Sequence, residues 1–255
     1  MVAKRKYSFS SSQMSRLVTY GKGARSVENT GKPFDTYVTE KYREHLLCRP
    51  ITGESFARPL VWGKMMERYV MQKVFSFDDG YEDMNLIGRS KHPSIEHWTG
   101  LPDYSKDRKI VGDIKAPWTL TAFFDRIDSM KSIETLKKLD ASEYWQLVSN
   151  SILTGFDQAE LTVFVPKENQ LEEIHDFVCD FDGDDELSPF QVQWVFEEIR
   201  EFLDTGNLQS FPYIPNESKL DGLHTFRFEV PTEDKELLTE RVKMASELLN
   251  QKLGK

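Results

Sequence analysis

Cysteine is nearly absent: Cys48 and Cys179 are the only two in 255 residues. Two distant thiols, neither in a CxxC pair, exclude a four-cysteine zinc or iron–sulfur site and supply no disulfide framework. Histidine is sparse as well. His45, His92, His97, His175 and His224 show neither the HxH nor the HxxxH spacing of a zinc site. No run approaches the ~18 apolar residues of a membrane span. The basic start at residues 1–6 meets a serine-rich stretch at residues 7–13, not an apolar leader core. No membrane partner is therefore expected, and the expected location is the cytoplasm. A phosphate-cradling loop is missing too: Gly21-Lys22-Gly23 lacks the GxxxxGK[ST] frame, so ATP use is not expected. Asp180 to Asp184 suggests a calcium loop, but its sixth and twelfth positions are Asp185 and Gln191, which excludes an EF-hand.

Positive charge is also in deficit. Lys and Arg number 33 against 42 Asp and Glu, a net charge of −9. That sum alone disfavours a polyanionic partner, but distribution matters more. Residues 1–27 hold six basic side chains and no acid, whereas residues 168–186 hold nine acids and no Lys or Arg. A basic N-terminal arm over residues 1–25 and a solvated acidic loop over residues 168–188 are the expectation.

A composition of 39% hydrophobic residues at this length can bury a sizeable core. Apolar spacing predicts helices over residues 33–47, 62–75, 121–139, 142–153, 189–203 and 231–253. Strands are expected over residues 95–99, 109–115, 160–165 and 224–230, and a turn over residues 78–83. Helices that precede, interrupt and follow a few strands imply an α/β (α+β) fold in one domain spanning residues 1–255. Residues 189–255 read as its C-terminal helical and strand extension.

The chemistry concentrates in Gly100-Leu101-Pro102-Asp103 and Gly112-Asp113-Ile114-Lys115. Side chains two apart on a strand share a face, so Asp113 and Lys115 project together and Ile114 points the other way. Asp103 lies in the turn before that strand, and a hairpin returns it beside Asp113. Two carboxylates and an ammonium then meet. Hard oxygen ligands suit Mg²⁺, and paired ions can activate a water and steady a leaving oxygen in phosphodiester hydrolysis. Glu67, the only acid of the helix at residues 62–75, is the best third carboxylate.

These residues resemble the PD-(D/E)xK nuclease superfamily, and within it the lambda-exonuclease-like, YqaJ-type viral recombinases. The matching segments run in family order over residues 8–166: Phe9-Ser10-Ser11-Ser12 before a helix with Arg16, Trp62-Gly63-Lys64-Met65-Met66-Glu67, Gly100 to Asp103, Gly112 to Pro117, and Tyr144-Trp145-Gln146. The last departs from the family's Tyr-x-x-Gln spacing by one residue, and Asp113 replaces the commoner Glu. The resemblance implies a restriction-endonuclease-like core, a central mixed sheet flanked by helices. It implies metal ligation by Glu67, Asp103, Asp113 and the Ile114 carbonyl, with Lys115 as the catalytic lysine. Gln146 and Tyr144 would face substrate, and Ser12 and Arg16 would bind the DNA 5′ phosphate. The implied activity is Mg²⁺-dependent DNA exonuclease, with Mn²⁺ able to substitute, acting on double-stranded DNA ends in a bacterial or phage-infected cell. A homotrimeric ring and a single-strand annealing protein are the implied partners.

Overall fold

The computed structural model describes residues 7–23, 25–51, 57–76, 80–184, 186–206 and 211–255. In chain order they form β1 (Phe9–Ser10), α1 (Lys32–Leu47), α2 (Arg58–Tyr69), β2 (Tyr81–Asp83), α3 (Met84–Ile87), β3 (Ser90–Lys91) and β4 (Trp98–Gly100). There follow β5 (Tyr104–Lys106), β6 (Ile110–Lys115), α4 (Leu120–Ser129), α5 (Ile133–Leu139), α6 (Ala141–Thr154) and β7 (Gln158–Phe164). The chain closes with α7 (Leu171–Cys179), α8 (Pro189–Thr205), β8 (Leu223–Glu229) and α9 (Thr232–Lys252).

Five strands make a mixed sheet in the order β2-β5-β6-β7-β8, with β6 and β7 parallel and the other pairs antiparallel. The parallel pair needs a crossover, and α4, α5 and α6 supply it. A smaller sheet, β1-β4-β3, brings the N-terminal serines beside Gly100.

Alternation along β6 sends its side chains into two separate cores. Val111 joins Phe123, Leu147, Val148, Leu161 and the apolar stripe of α9 on one face. Ile114 joins Trp62, Met65, Tyr69, Ile174 and Val195 on the other. The molecule is thus layered: α4, α6 and α9 cover one face, and α2, α7 and α8 cover the other. This is the α/β arrangement expected, a central mixed sheet flanked by helices.

Several expectations need correction. The basic arm is not loose where it is described: Phe9, Met14 and Leu17 are buried, and a 3-10 turn at Ser11–Arg16 carries the middle one. Lys4, Arg5 and Lys6 lie outside the described residues. The acidic loop contains α7, because Leu171, Ile174 and Val178 recur at helical spacing and bury together. The helix over residues 121–139 is two helices, since the Ser132 hydroxyl accepts from Thr135 N at 3.1 Å and caps α5. The helix expected from residue 62 starts at Arg58 with Pro59 in its first turn, and widens into a π turn at Val70–Val74. His97 has φ 66°, which ends the extended run, so β4 begins only at Trp98. Tyr81–Asp83 is a strand, not part of a turn, while residues 78 and 79 of that expected turn lie outside the described residues. Residues 189–255 supply β8 to the main sheet, so that region completes the sheet and does not merely extend it.

Candidate active site

The hairpin of β5 and β6 places the first acid. Its turn holds Asp107 and Arg108 at φ 51° and 54°, closed by Lys109 N donating to the Lys106 carbonyl at 3.0 Å. Two left-handed residues give the turn a twist that suits a two-stranded ribbon. Asp103 then lies opposite β6: its N–H donates to Gly112 O at 3.1 Å, and Ile114 N donates to Asp103 Oδ2 at 2.6 Å. The Tyr104 ring occupies the space a side chain at residue 112 would need. Gly112 is required by this close approach.

Asp113 and Lys115 share the β6 face that looks toward α6. Lys115 Nζ is 2.5 Å from Asp113 Oδ2, and Gln146 Nε2 donates to Asp113 Oδ1 at 2.6 Å. Two groups that sequence reasoning missed complete this corner. Glu143 Oε2 lies 3.2 Å from Lys115 Nζ, and Glu143 Oε1 accepts from Arg126 at 3.3 Å. Arg126 also donates to Asp140 Oδ2 at 2.8 Å. The available signal was spacing: Glu143 stands three residues before Gln146, one helical turn away on the same face.

Glu67 approaches from α2, on the opposite side of the sheet. Burial first, and then the Asp113 charge, push Glu67 up to about 7, with Lys115 offsetting part of the rise. Burial, followed by Asp113 and Glu67, raises Asp103 well above the ordinary carboxylate range, against the Ile114 N–H. Asp113 is raised as well, by burial, against the pull of Lys115. For Lys115, burial opposes the charge, but Asp113, Glu143 and Asp103 outweigh it and keep the ammonium above its ordinary value.

Three carboxylates that disfavour one another's charge form a donor set that a hard divalent cation relieves. Among the described residues, no three acidic, histidine or cysteine side chains gather tightly enough to ligate a single ion as they stand. Lys115 and Gln146 engage Asp113, and a backbone N–H engages one Asp103 oxygen. The oxygen chemistry of the set fits Mg²⁺ or Mn²⁺.

A cleft of about 450 Å³ has Ser12, Glu67, Asp103, Ile114, Lys115 and Gln146 in its wall, and Asp113 lies behind that wall, held by Lys115 and Gln146. Lys64, Arg89 and Arg126 add cations to the same wall, despite the overall negative charge. Two of the expected residues lie elsewhere. Arg16 forms a two-pronged pair with Glu40, at 2.7 and 2.9 Å, and stacks over Tyr37. Tyr144 is buried, with its hydroxyl donating to Asp234 Oδ2 at 2.5 Å. Neither borders the cleft.

No protein-family model matches this chain, and no curated protein matches it. Solved structures do. LHK-Exo, an alkaline exonuclease from Laribacter hongkongensis, has a TM-score of 0.60 at 13% identity, over 98% of this chain and 91% of that one. The same enzyme in complex with dAMP gives the same values. A phage related exonuclease from Haemophilus somnus 129PT has a TM-score of 0.59 at 15% identity, over 97% of this chain and 95% of that one. The chain thus has, along nearly its whole length, the fold of these exonucleases.

Proposed function

We propose that this chain is a divalent-metal-dependent exonuclease that hydrolyses phosphodiesters of linear double-stranded DNA, working from 5′ ends in phage-type recombination. One observation carries the reading: Asp103 is held against β6 by Ile114 N and Asp113 is paired with Lys115 on the same strand, with Asp103 and Lys115 at a cation-lined cleft, on a fold shared with solved exonucleases. That one of those structures holds dAMP supports a nucleoside monophosphate as product class.

In this reading Glu67, Asp103, Asp113 and the Ile114 carbonyl would hold two Mg²⁺ ions, with Mn²⁺ able to replace them. When bound, such ions make a water nucleophilic near neutral pH and stabilise charge on the departing oxygen. The chain's own groups do the rest. Lys115 stays cationic, so it can orient the attacking water and neutralise charge growing on the phosphoryl oxygens. Gln146 fixes the Asp113 carboxylate by donating to one oxygen. Lys64, Arg89 and Arg126 attract the phosphodiester backbone, and Ser12 offers a hydroxyl at the same wall. Glu67 near 7 implies a rate that climbs with pH through neutrality, as its carboxyl loses the proton that blocks ligation.

The reading includes a homotrimeric ring, a single-strand annealing partner and the cytoplasm of a bacterial or phage-infected cell. Among the described residues no helix is long and apolar enough to cross a membrane. A monomeric mass in sedimentation would remove the ring.

The deciding assay uses linear duplex labelled at the 5′ or 3′ end, with Mg²⁺, beside a closed circular control. Early release of the 5′ label with an intact circle is expected. Cleavage of the circle, or early release of the 3′ label, would remove the 5′ exonuclease reading. No hydrolysis of any substrate with either metal would remove the nuclease itself.

A further inference from the structure

We propose that Glu143 is a positioning residue for Lys115, and that it joins Lys115 to Arg126 as one unit facing the substrate phosphate. This rests on the nuclease reading above for its chemistry, though not for its geometry.

Glu143 is buried at 8% exposure, and its two oxygens face different cations. Oε1 receives Arg126 at 3.3 Å, and Arg126 borders the cleft. Oε2 lies 3.2 Å from Lys115 Nζ, an ion pair with the lysine that also holds Asp113. The side chain therefore bridges two cations, Lys115 through one oxygen and Arg126 through the other.

The helix explains how this arises. Glu143 and Gln146 are three apart on α6, so one helical face presents both. Gln146 grips Asp113 and Glu143 faces Lys115, and the Asp113–Lys115 pair of β6 is met twice by the same helix. Lys115 has a flexible four-carbon stem and would otherwise rest on Asp113 alone. An Asp113 oxygen committed to a cation cannot serve the ammonium equally well. Glu143 gives that ammonium a second anionic anchor, 3.2 Å away. Arg126, fixed from behind by Asp140 at 2.8 Å, keeps Glu143 from turning away.

The test compares Glu143→Ala, Glu143→Gln and Glu143→Asp with the parent. Expected for Ala and Gln is a loss in kcat of roughly ten- to a hundredfold, with KM within about twofold. Asp, which keeps the charge, recovers most of that loss. Mn²⁺ affinity by calorimetry stays within about threefold in every variant, because Glu143 is not a ligand. Selective ¹⁵N-lysine NMR reads the order of the Lys115 ammonium without turnover, and it is expected to become mobile in Gln and Ala. Gln preserves side-chain volume, so a misfolded Ala variant leaves the comparison intact. An equally ordered Lys115 in Glu143→Gln, an unchanged kcat, or a tenfold loss of Mn²⁺ affinity would each overturn the proposal. A parent chain that cleaves no DNA instead removes the nuclease reading, while the NMR comparison still decides whether Glu143 holds Lys115.

Discussion

Two buried carboxylates stand on neighbouring strands with opposite fates. Glu160 on β7 is 2% exposed, and Asp113 on β6 is 1% exposed. Glu160 accepts from the Tyr104 hydroxyl at 2.8 Å and from Arg227 at 2.9 Å, with a second Arg227 nitrogen at 2.8 Å. One acid there meets one guanidinium and one phenol. Around Asp113, four acids (Glu67, Asp103, Asp113 and Glu143) share chiefly Lys115 and Arg126. Depth alone therefore does not distinguish the two acids. The balance of donors to acids does, because unmatched buried charge costs free energy that only a bound cation or a proton removes.

The sharpest way to break this contrast is exchange of the two acids for their amides. Asp113→Asn is expected to cut hydrolysis by at least roughly 10²–10³-fold, while the melting temperature of the metal-free protein holds or rises. Undiminished cleavage would refute the assignment. Glu160→Gln should do the reverse: kcat within about twofold, and a loss of about 2 kcal/mol, below the full cost of a broken buried pair because Arg227 reaches water. That corresponds to a melting shift on the order of 5 °C, and calorimetry would detect its absence. Linkage gives a third test. Glu67 rises from 4.5 to about 7 on folding, so the folded chain holds that proton more tightly than the unfolded one. Its contribution is fully present below about pH 4.5 and is lost as pH rises to about 7. Mg²⁺ should accordingly raise the melting temperature by more at about pH 8 than at about pH 5.5; an equal shift at both would count against Glu67 as a ligand. The smallest effect concerns Tyr144→Phe, which removes one hydroxyl from Asp234. A loss of about 1 kcal/mol with unchanged kcat and KM would place Tyr144 on the structural side, and a large rise in KM would return it to the substrate.

What the sequence disclosed and what it hid divide along sequence distance. Asp103, Asp113 and Lys115 lie in one hairpin, so strand periodicity and a turn bring them together without knowledge of the rest. Three strands of the main sheet were legible for the same reason, since β6, β7 and β8 alternate or run apolar over several residues, whereas β2 and β5, three residues each, were too short to show a period. Glu143 was hidden because its meeting with Lys115 depends on how α6 crosses the sheet, and because Tyr144 drew attention to the neighbouring position. α7 was hidden because three acids, Glu172, Glu173 and Asp176, obscured the spacing of Leu171, Ile174 and Val178. The burial of Met14 and Leu17 beneath a basic segment was likewise invisible to a reading by charge.

The clamp from Ile114 N–H to Asp103 has a consequence for how such a site tolerates change. Asp103, Asp113 and Lys115 travel as one stiff hairpin, whereas Glu67 and Glu143 arrive on helices packed against opposite faces. A small slip of either helix retunes the centre and leaves its anchor untouched. Under the proposed function, drift in helix packing would adjust reactivity by degrees, and damage to the hairpin would end it at a stroke.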